Sequence, residues 1–217
     1  MYVFRQDSLH LATVYSNHLI LLKKKIIVSP SYLKLQVGLI KSCRRHEASD
    51  KLYISDIDIN QESTIQVCSG LVPFIPIEQM SQRRVVVVTN MRNRKLRGEV
   101  SQGMILAAEK SKSEGEGMKG TGETGKAEET GGAGETNNTI VEPVDPPKSS
   151  IVGERLYFDG LDKKFEPPKL KDKVWEFLQP KLATNEKGQV VFEDKVLRGE
   201  KEEDYASVAT LTNAMIK

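Results

Sequence analysis

The 217 residues carry 32 Lys and Arg against 30 Asp and Glu, with 38% hydrophobic and 29% charged residues. Those proportions exclude a chain that is low-complexity throughout and suit one larger or two small soluble domains joined by a linker. The formal net charge of +2 hides an uneven distribution: residues 1–108 hold fifteen Lys/Arg against eight Asp/Glu, 109–148 five against nine, and 149–217 twelve against thirteen. A polyanion is therefore drawn to the first half of the chain.

Residues 1–34 form a lead-in that ends in Lys23-Lys24-Lys25 and the turn signal Ser29-Pro30-Ser31. Its apolar run, Leu9–Leu22, is broken by His10, Ser16, Asn17 and His18, too polar and too short to span a bilayer. No basic segment and small-residue cleavage site frame it as a secretory signal; the single acid of the first 35 residues, Asp7, leaves an organelle-targeting segment as the alternative to the default expectation, the cytoplasm. Cys43 and Cys68 cannot build a disulfide framework, match no zinc spacing, and fall in apolar runs that predict small core residues.

Residues 35–108 alternate apolar and polar positions in short runs between turn residues, a strand pattern. The expected strands are Leu35–Cys43, Leu52–Ile59, Thr64–Cys68, Arg84–Asn90 with its four valines, and Met104–Ala108. An apparent phase slip between Ile54 and Ile57 predicts a bulge in the second strand. Pro76–Met80 predicts one helical turn between the third and fourth strands. Five strands with that turn match the oligonucleotide-binding (OB) barrel, a generic SH3-like barrel being the alternative. Residues 109–138 hold eight of the sixteen glycines and no aromatic, which predicts a disordered insertion. Residues 139–217 recover branched and aromatic side chains. There we expect a strand at Arg155–Phe158, a helix with Leu170, Val174, Phe177 and Leu178 on one face, and a hairpin from Val190–Phe192 and Lys195–Leu197. A last strand is expected at Ala206–Leu211, with Trp175 in the core.

The chemistry-bearing stretch is Arg83–Arg97. It holds Arg83, Arg84, Arg92, Arg94, Lys95 and Arg97 with no acid, and a strand-turn-strand setting is expected to ring them along one barrel edge. Neutralised phosphates release condensed counterions, so clustered cations favour nucleic acid over a merely solvated loop. A second group, Lys41, Arg44, Arg45 and Lys51, lies on and after the first strand. Only Tyr53 and Phe74 supply aromatic rings between residues 35 and 108, which points to structured RNA read by shape rather than to a stacking single-strand binder. Catalytic sets are missing. His10, His18 and His46 are scattered, His46 with Glu47 and Asp50 reads as a polar turn rather than a metal site, and Ser69-Gly70 lacks the surrounding nucleophile pattern. No metal, cofactor or small-molecule substrate is expected.

Taken in order, several motifs resemble the tRNA-binding domain of the endothelial monocyte-activating polypeptide family, which includes the fungal cofactor of methionyl- and glutamyl-tRNA synthetases. They are Val37-Gly-Leu-Ile40, His46-Glu-Ala-Ser-Asp-Lys-Leu-Tyr53, Ile57-Asp-Ile59, Val67-Cys-Ser-Gly-Leu-Val72, Val85-Val-Val-Val-Thr-Asn90, Leu96-Arg-Gly98 and Ser101-Gln-Gly-Met104. Val144–Lys148, Gly153-Glu-Arg155, Lys171–Trp175 and Thr212–Lys217 are similar to the family's C-terminal extension. The resemblance implies an OB barrel, at residues 35–108, with a small α+β extension, at 139–217, packed against it. It implies a non-catalytic protein that binds tRNA with little sequence preference and assists aminoacyl-tRNA synthetases, those for methionine and glutamate among them, as a monomer; the alternative is a scaffold module of a synthetase complex. Arg97, Ser101 and Met104 match functional positions by motif. Asn90 and the cations around it are added on physical grounds. Glu47 replaces the usual proline, the insertion is unusual, and the lysine-rich upstream linker is reduced to Lys23–Lys25 and Lys34.

Overall fold

The computed structural model describes residues 29–60, 63–111, 138–201 and 203–217. Of the predicted disordered insertion only Glu109–Ser111 and Asn138 are described, and the first three of these are strand. The rest of the insertion, and the lead-in to residue 28, lie outside the described residues.

Strands β1 (Leu35–Arg45), β2 (Tyr53–Asn60) and β3 (Ser63–Ser69) form an antiparallel meander. A 3₁₀ turn at Ile77–Gln79, entered through Pro76, leads to β4 (Arg84–Val88), which pairs with β1 from Leu35↔Val88 to Leu39↔Arg84. A hairpin of β5 (Arg94–Leu96) and β6 (Glu99–Ser101) follows, and β7 (Met104–Ile105) pairs with β4. Gln66 and Gln102 close the ring: the Gln102 amide donates to the Gln66 carbonyl at 2.8 Å and the Gln66 amide to Gln102 Oε1 at 2.9 Å. The result is the expected OB barrel.

The extension continues the same sheet. It contains β8 (Ala107–Ser111), β9 (Thr139–Pro143), β10 (Arg155–Phe158), helix α1 (Asp172–Leu178), β11 (Leu182–Thr184), β12 (Val190–Phe192), β13 (Lys195–Arg198) and β14 (Met215–Ile216). A path β1-β10-β13-β12-β11-β14-β8 leads from the barrel's first strand round to its last. So β1, β4 and the β7–β8 run form a wall shared by two cores. Val85 and Val87 face the barrel with Ile40, Tyr53, Ile57 and Ile105; Val86 and Val88 face the extension with Leu35, Val37, Leu106 and Leu156. A strand buried on both faces reads as a continuous apolar run, the four valines of β4. Each fully buried valine contributes on the order of 2 kcal/mol. Gly38 sits where a Cβ would lie 2.5 Å from Ile57 Cγ2 and 3.0 Å from Val87 Cγ2, so the strands close here only around glycine.

Four expectations need correction. No bulge lies between Ile54 and Ile57: one falls on β1, between Ile40 and Ser42, and another at the far end of β2, between Asp58 and Asn60. The core face of β2 is Tyr53, Ser55 and Ile57, and the buried Ser55 hydroxyl, 3.5 Å from Cys43 Sγ, masked the alternation. The fifth strand breaks at Leu106, whose amide donates to Val86 O and whose carbonyl accepts from Val144; the chain beyond it pairs with the extension through Ser111. Phe177 is half-exposed beneath the Lys181 ammonium, 4.8 Å from its ring centroid, while Val174 and Leu178, one turn apart, carry the buried face with Trp175 against the core. Ala206–Leu211 forms no continuous strand, because its backbone makes only isolated contacts, Ala206 with Leu197 and Val190, Ser207 with Asp145 and Val208 with Gly188.

Asn90, 5% exposed at the exit of β4, ties three segments together. Its Oδ1 accepts from the Lys34 amide at 3.0 Å, and its Nδ2 donates to Tyr32 O at 2.9 Å and Pro168 O at 2.8 Å. Asn90→Ala leaves one half-buried donor, the Lys34 amide, and two carbonyls without this partner. We expect a loss of about 3 kcal/mol in urea unfolding, with unchanged binding per folded molecule.

Candidate nucleic-acid interface

The β5–β6 hairpin turns through Arg97 at φ 51° and Gly98 at φ 103°. Two successive positive φ angles match the twist of a two-residue hairpin, normally built from Asn-Gly or Asp-Gly. Glycine adopts this conformation freely, whereas an arginine there costs on the order of 1 kcal/mol. Arg97 therefore stands at the tip despite the local backbone preference. Its side chain is exposed, and like those of Arg92 and Lys95 it makes no hydrogen bond or ion pair among the described residues.

The hairpin is fixed at its base. Gln66 Nε2 donates to Val100 O at 2.9 Å and to Glu99 Oε2 at 3.2 Å. The Ser101 hydroxyl accepts from the Cys68 amide and donates to Gly103 O, both at 3.0 Å. Arg44 reaches up from the end of β1 to Glu99 at 2.7 Å, and Arg94 reaches the extension at Asp172, also at 2.7 Å. The Arg44 hydrogen bond, more than that of Gln66, holds the Glu99 carboxyl below its ordinary range, as Arg94 does for Asp172. Between hairpin and barrel lies a cleft of about 140 Å³. Met91, Leu96, Met104 and Cys68 give it an apolar lining, with Arg92 and Arg94 at the same site. Burial pushes the Cys68 thiol up. The cleft is well below the several hundred Å³ of a drug-sized ligand pocket. A wider groove of about 340 Å³, lined by Leu71, Phe74 and Val141, adjoins it and shares Cys68 and Met104.

The predicted site residues separate into groups. Arg92, Arg94, Lys95, Arg97, Ser101 and Met104 come together at the hairpin and its cleft, with Arg44 at the base. Ser101 is buried, its hydroxyl tying the end of the hairpin to the Cys68 amide of β3 and to Gly103 O. Lys41, at the β1 bulge, and Lys51, in the β1–β2 turn, are exposed, and Arg45 lies over the Tyr53 ring at 5.7 Å. Arg83 and Arg84 do not join one cationic edge with the others. They stand at the opposite end of β4, whose ends are about 13 Å apart by strand rise. Arg83 pairs with Asp145 at 2.8 Å, and Arg84 donates to the carbonyls of Pro147, Lys148 and Ser150. Asn90 is likewise consumed by the packing described above. Tyr53 is fully buried and donates to Ile75 O at 2.8 Å, so it offers no stacking face. His46 Nδ1 accepts from the Ala48 amide at 2.9 Å in the expected polar turn. Among the described residues no cluster could hold a metal, and no helix is long and apolar enough to cross a membrane.

Sequence reasoning missed the extension's part in this site. Leu170 bridges Met91 in parallel and donates to Asn90 O at 2.7 Å, which brings Lys169 and Lys171 beside Arg92. The alternation Lys169-Leu-Lys171-Asp-Lys173 was the available signal.

The architecture is mainly β, an OB barrel with a docked extension, and it carries a basic hairpin over an apolar cleft. Residues 35–128 match the family model described as "Putative tRNA binding domain". The chain is 38% identical over 155 residues to the cytoplasmic tyrosine–tRNA ligase of Xenopus tropicalis, covering 70% of this chain and 25% of that protein. It is 29% identical over 196 residues to the tRNA-aminoacylation cofactor arc1 of Schizosaccharomyces pombe, covering 86% and 38%. It thus spans well under half the length of these relatives. The crystal structure of the C-terminal domain of Plasmodium vivax p43 shares the fold, with a TM-score of 0.67 at 23% identity over 87% of this chain and 99% of that one.

The depressed Glu99 carboxyl gives a signed prediction. A lowered folded-state pKa means the Arg44–Glu99 ion pair helps above the ordinary value of 4.5 and stops helping as pH falls through the lower, folded value. In Arg44→Ala the Glu99 titration midpoint, followed by carboxyl carbon NMR, should move up towards 4.5.

Proposed function

We propose that this chain binds tRNA without catalysing a reaction on it, gripping phosphates of the folded RNA through the β5–β6 hairpin, and so assists aminoacyl-tRNA synthetases in the cytoplasm. The observation that carries the reading is a set of exposed cations, Arg92, Lys95 and Arg97, that make no hydrogen bond or ion pair among the described residues and stand on an anchored hairpin in a domain similar to the tRNA-binding family. Exposed cations without carboxylate partners keep their full charge for phosphates, and a fixed backbone lowers the ordering cost of binding. The scarcity of accessible aromatic rings favours recognition of shape and phosphate position over base stacking. The relatives named as a tRNA ligase and a tRNA-aminoacylation cofactor support a place beside synthetases, those for methionine and glutamate being the first to test. Lys41, Arg45 and Lys51 are exposed on the same barrel and extend the field that steers RNA in. Ser101 and Met104 contribute by holding the hairpin and lining its cleft.

Replacing Arg92, Arg94, Lys95 and Arg97 together by alanine should weaken total-tRNA binding in filter titrations. The slope of log affinity against log salt should become shallower by about 0.9 for each phosphate that is no longer neutralised. Unchanged affinity would remove the reading, and partner synthetases retained after nuclease treatment would point to a scaffold instead.

The arginine at the hairpin tip offers a second test. Arg97→Asn accepts the left-handed backbone better, so unfolding stability should hold or rise by up to about 1 kcal/mol while tRNA affinity falls. A loss of stability with unchanged affinity would make Arg97 structural.

A further inference from the structure

The segment Pro168–Lys173 of the extension lies along the barrel's exit strand as if it were a further strand. Asn90 takes Pro168 O and Leu170 N, at 2.8 and 2.7 Å, and Lys169 Nζ donates to Met91 O at 3.3 Å. Directly paired residues of a parallel bridge share a face, and Met91 and Leu170 both point into the core, 7% and 3% exposed. Their neighbours Arg92, Lys169 and Lys171 therefore turn outward together, and all three are exposed, as is Lys173 at the start of α1.

With Arg94, five cations meet at this seam around one carboxylate, Asp172, which is drawn on by both Arg94 and Arg92. The next carboxylate along the helix, Glu176, lies just over one turn further on. Such a gathering of like charges is unfavourable unless an anion joins it. The Arg94–Asp172 pair is about half-exposed on both sides, which leaves it weak enough to exchange for phosphate.

We propose that the RNA grip crosses from barrel to extension: Arg92, Lys169, Lys171 and Lys173 form a second phosphate-binding stripe on the seam, tempered by Asp172. The extension is then part of the RNA surface and not only a prop for the barrel. This rests on the reading of the hairpin as a tRNA-binding element.

The test is a filter-binding titration of total tRNA against the full chain at several salt concentrations. Lys169→Ala/Lys171→Ala/Lys173→Ala should bind about ten-fold or more weakly at low salt, with a slope shallower by about two to three, at roughly 0.9 per phosphate. Lys171→Gln/Lys173→Gln keeps the Lys169 bond to Met91 and should still flatten the slope by about two. Asp172→Asn should bind about two- to five-fold more tightly, an effect that a purely structural ion pair would not produce. Lys187→Ala/Lys195→Ala/Lys201→Ala removes equal charge elsewhere on the extension and should stay within about two-fold, since exposed charges beyond about 10 Å are screened at 0.1 M salt. If both seam variants bind like the parent while the hairpin quadruple variant is weak, the seam proposal is wrong and tRNA binding by the hairpin stands. If neither hairpin nor seam variants change affinity, the functional reading fails, and the seam proposal with it.

Discussion

Burial of β4 on both faces is the constraint from which the rest of this structure follows. Val85 and Val87 fill the barrel, Val86 and Val88 fill the extension, and no side chain on the strand is free to face water except the half-buried Arg84 at its start. Separating the two cores would expose one valine pair together with Leu35, Val37, Leu106 and Ala108 on the shared wall. At roughly 25 cal/mol per Å² of apolar surface that loss would be a large fraction of a small domain's stability. The two units consequently behave as one packed body.

That packing decides where the hairpin can be. The chain leaves β4 at Asn90, is gripped there from three sides, and immediately emits Arg92–Arg97 on short strands anchored by Gln66, Ser101 and Arg44. A hydrophobic wall thus ends in a polar clamp, and the clamp sets the origin of a basic arm. Side chains carried on elements fixed at both ends are positioned more closely than those on a free loop, which lowers the entropy that RNA binding has to overcome. Arg97 in a left-handed turn is the one local departure from backbone preference in this arm.

Much of the fold was legible because strand alternation and turn chemistry are local signals. Leu35, Val37 and Ile40 on β1, Pro76 before the helical turn, and Arg155–Phe158 all stand where periodicity put them. What escaped depended on partners distant in sequence. Arg83 looked like a free cation until Asp145 met it, and Arg84 until the carbonyls of Pro147 and Ser150 did. Asn90 looked like a polar residue at a strand exit, yet its three partners lie on segments that only the folded chain assembles. Lys169 and Lys171 were ordinary surface lysines until the Met91–Leu170 bridge set them beside Arg92. Composition reveals how much charge a segment carries, whereas tertiary pairing decides which of it stays available.

The most direct measurement of the central claim is an amide NMR map of the isotopically labelled full chain as total tRNA is added. Shifts and broadening concentrated on Arg92–Ser101, and weaker elsewhere on the barrel, are the predicted result. Perturbations centred instead on Arg83–Arg84 and Pro147–Ser150, or none at saturating tRNA, would contradict it.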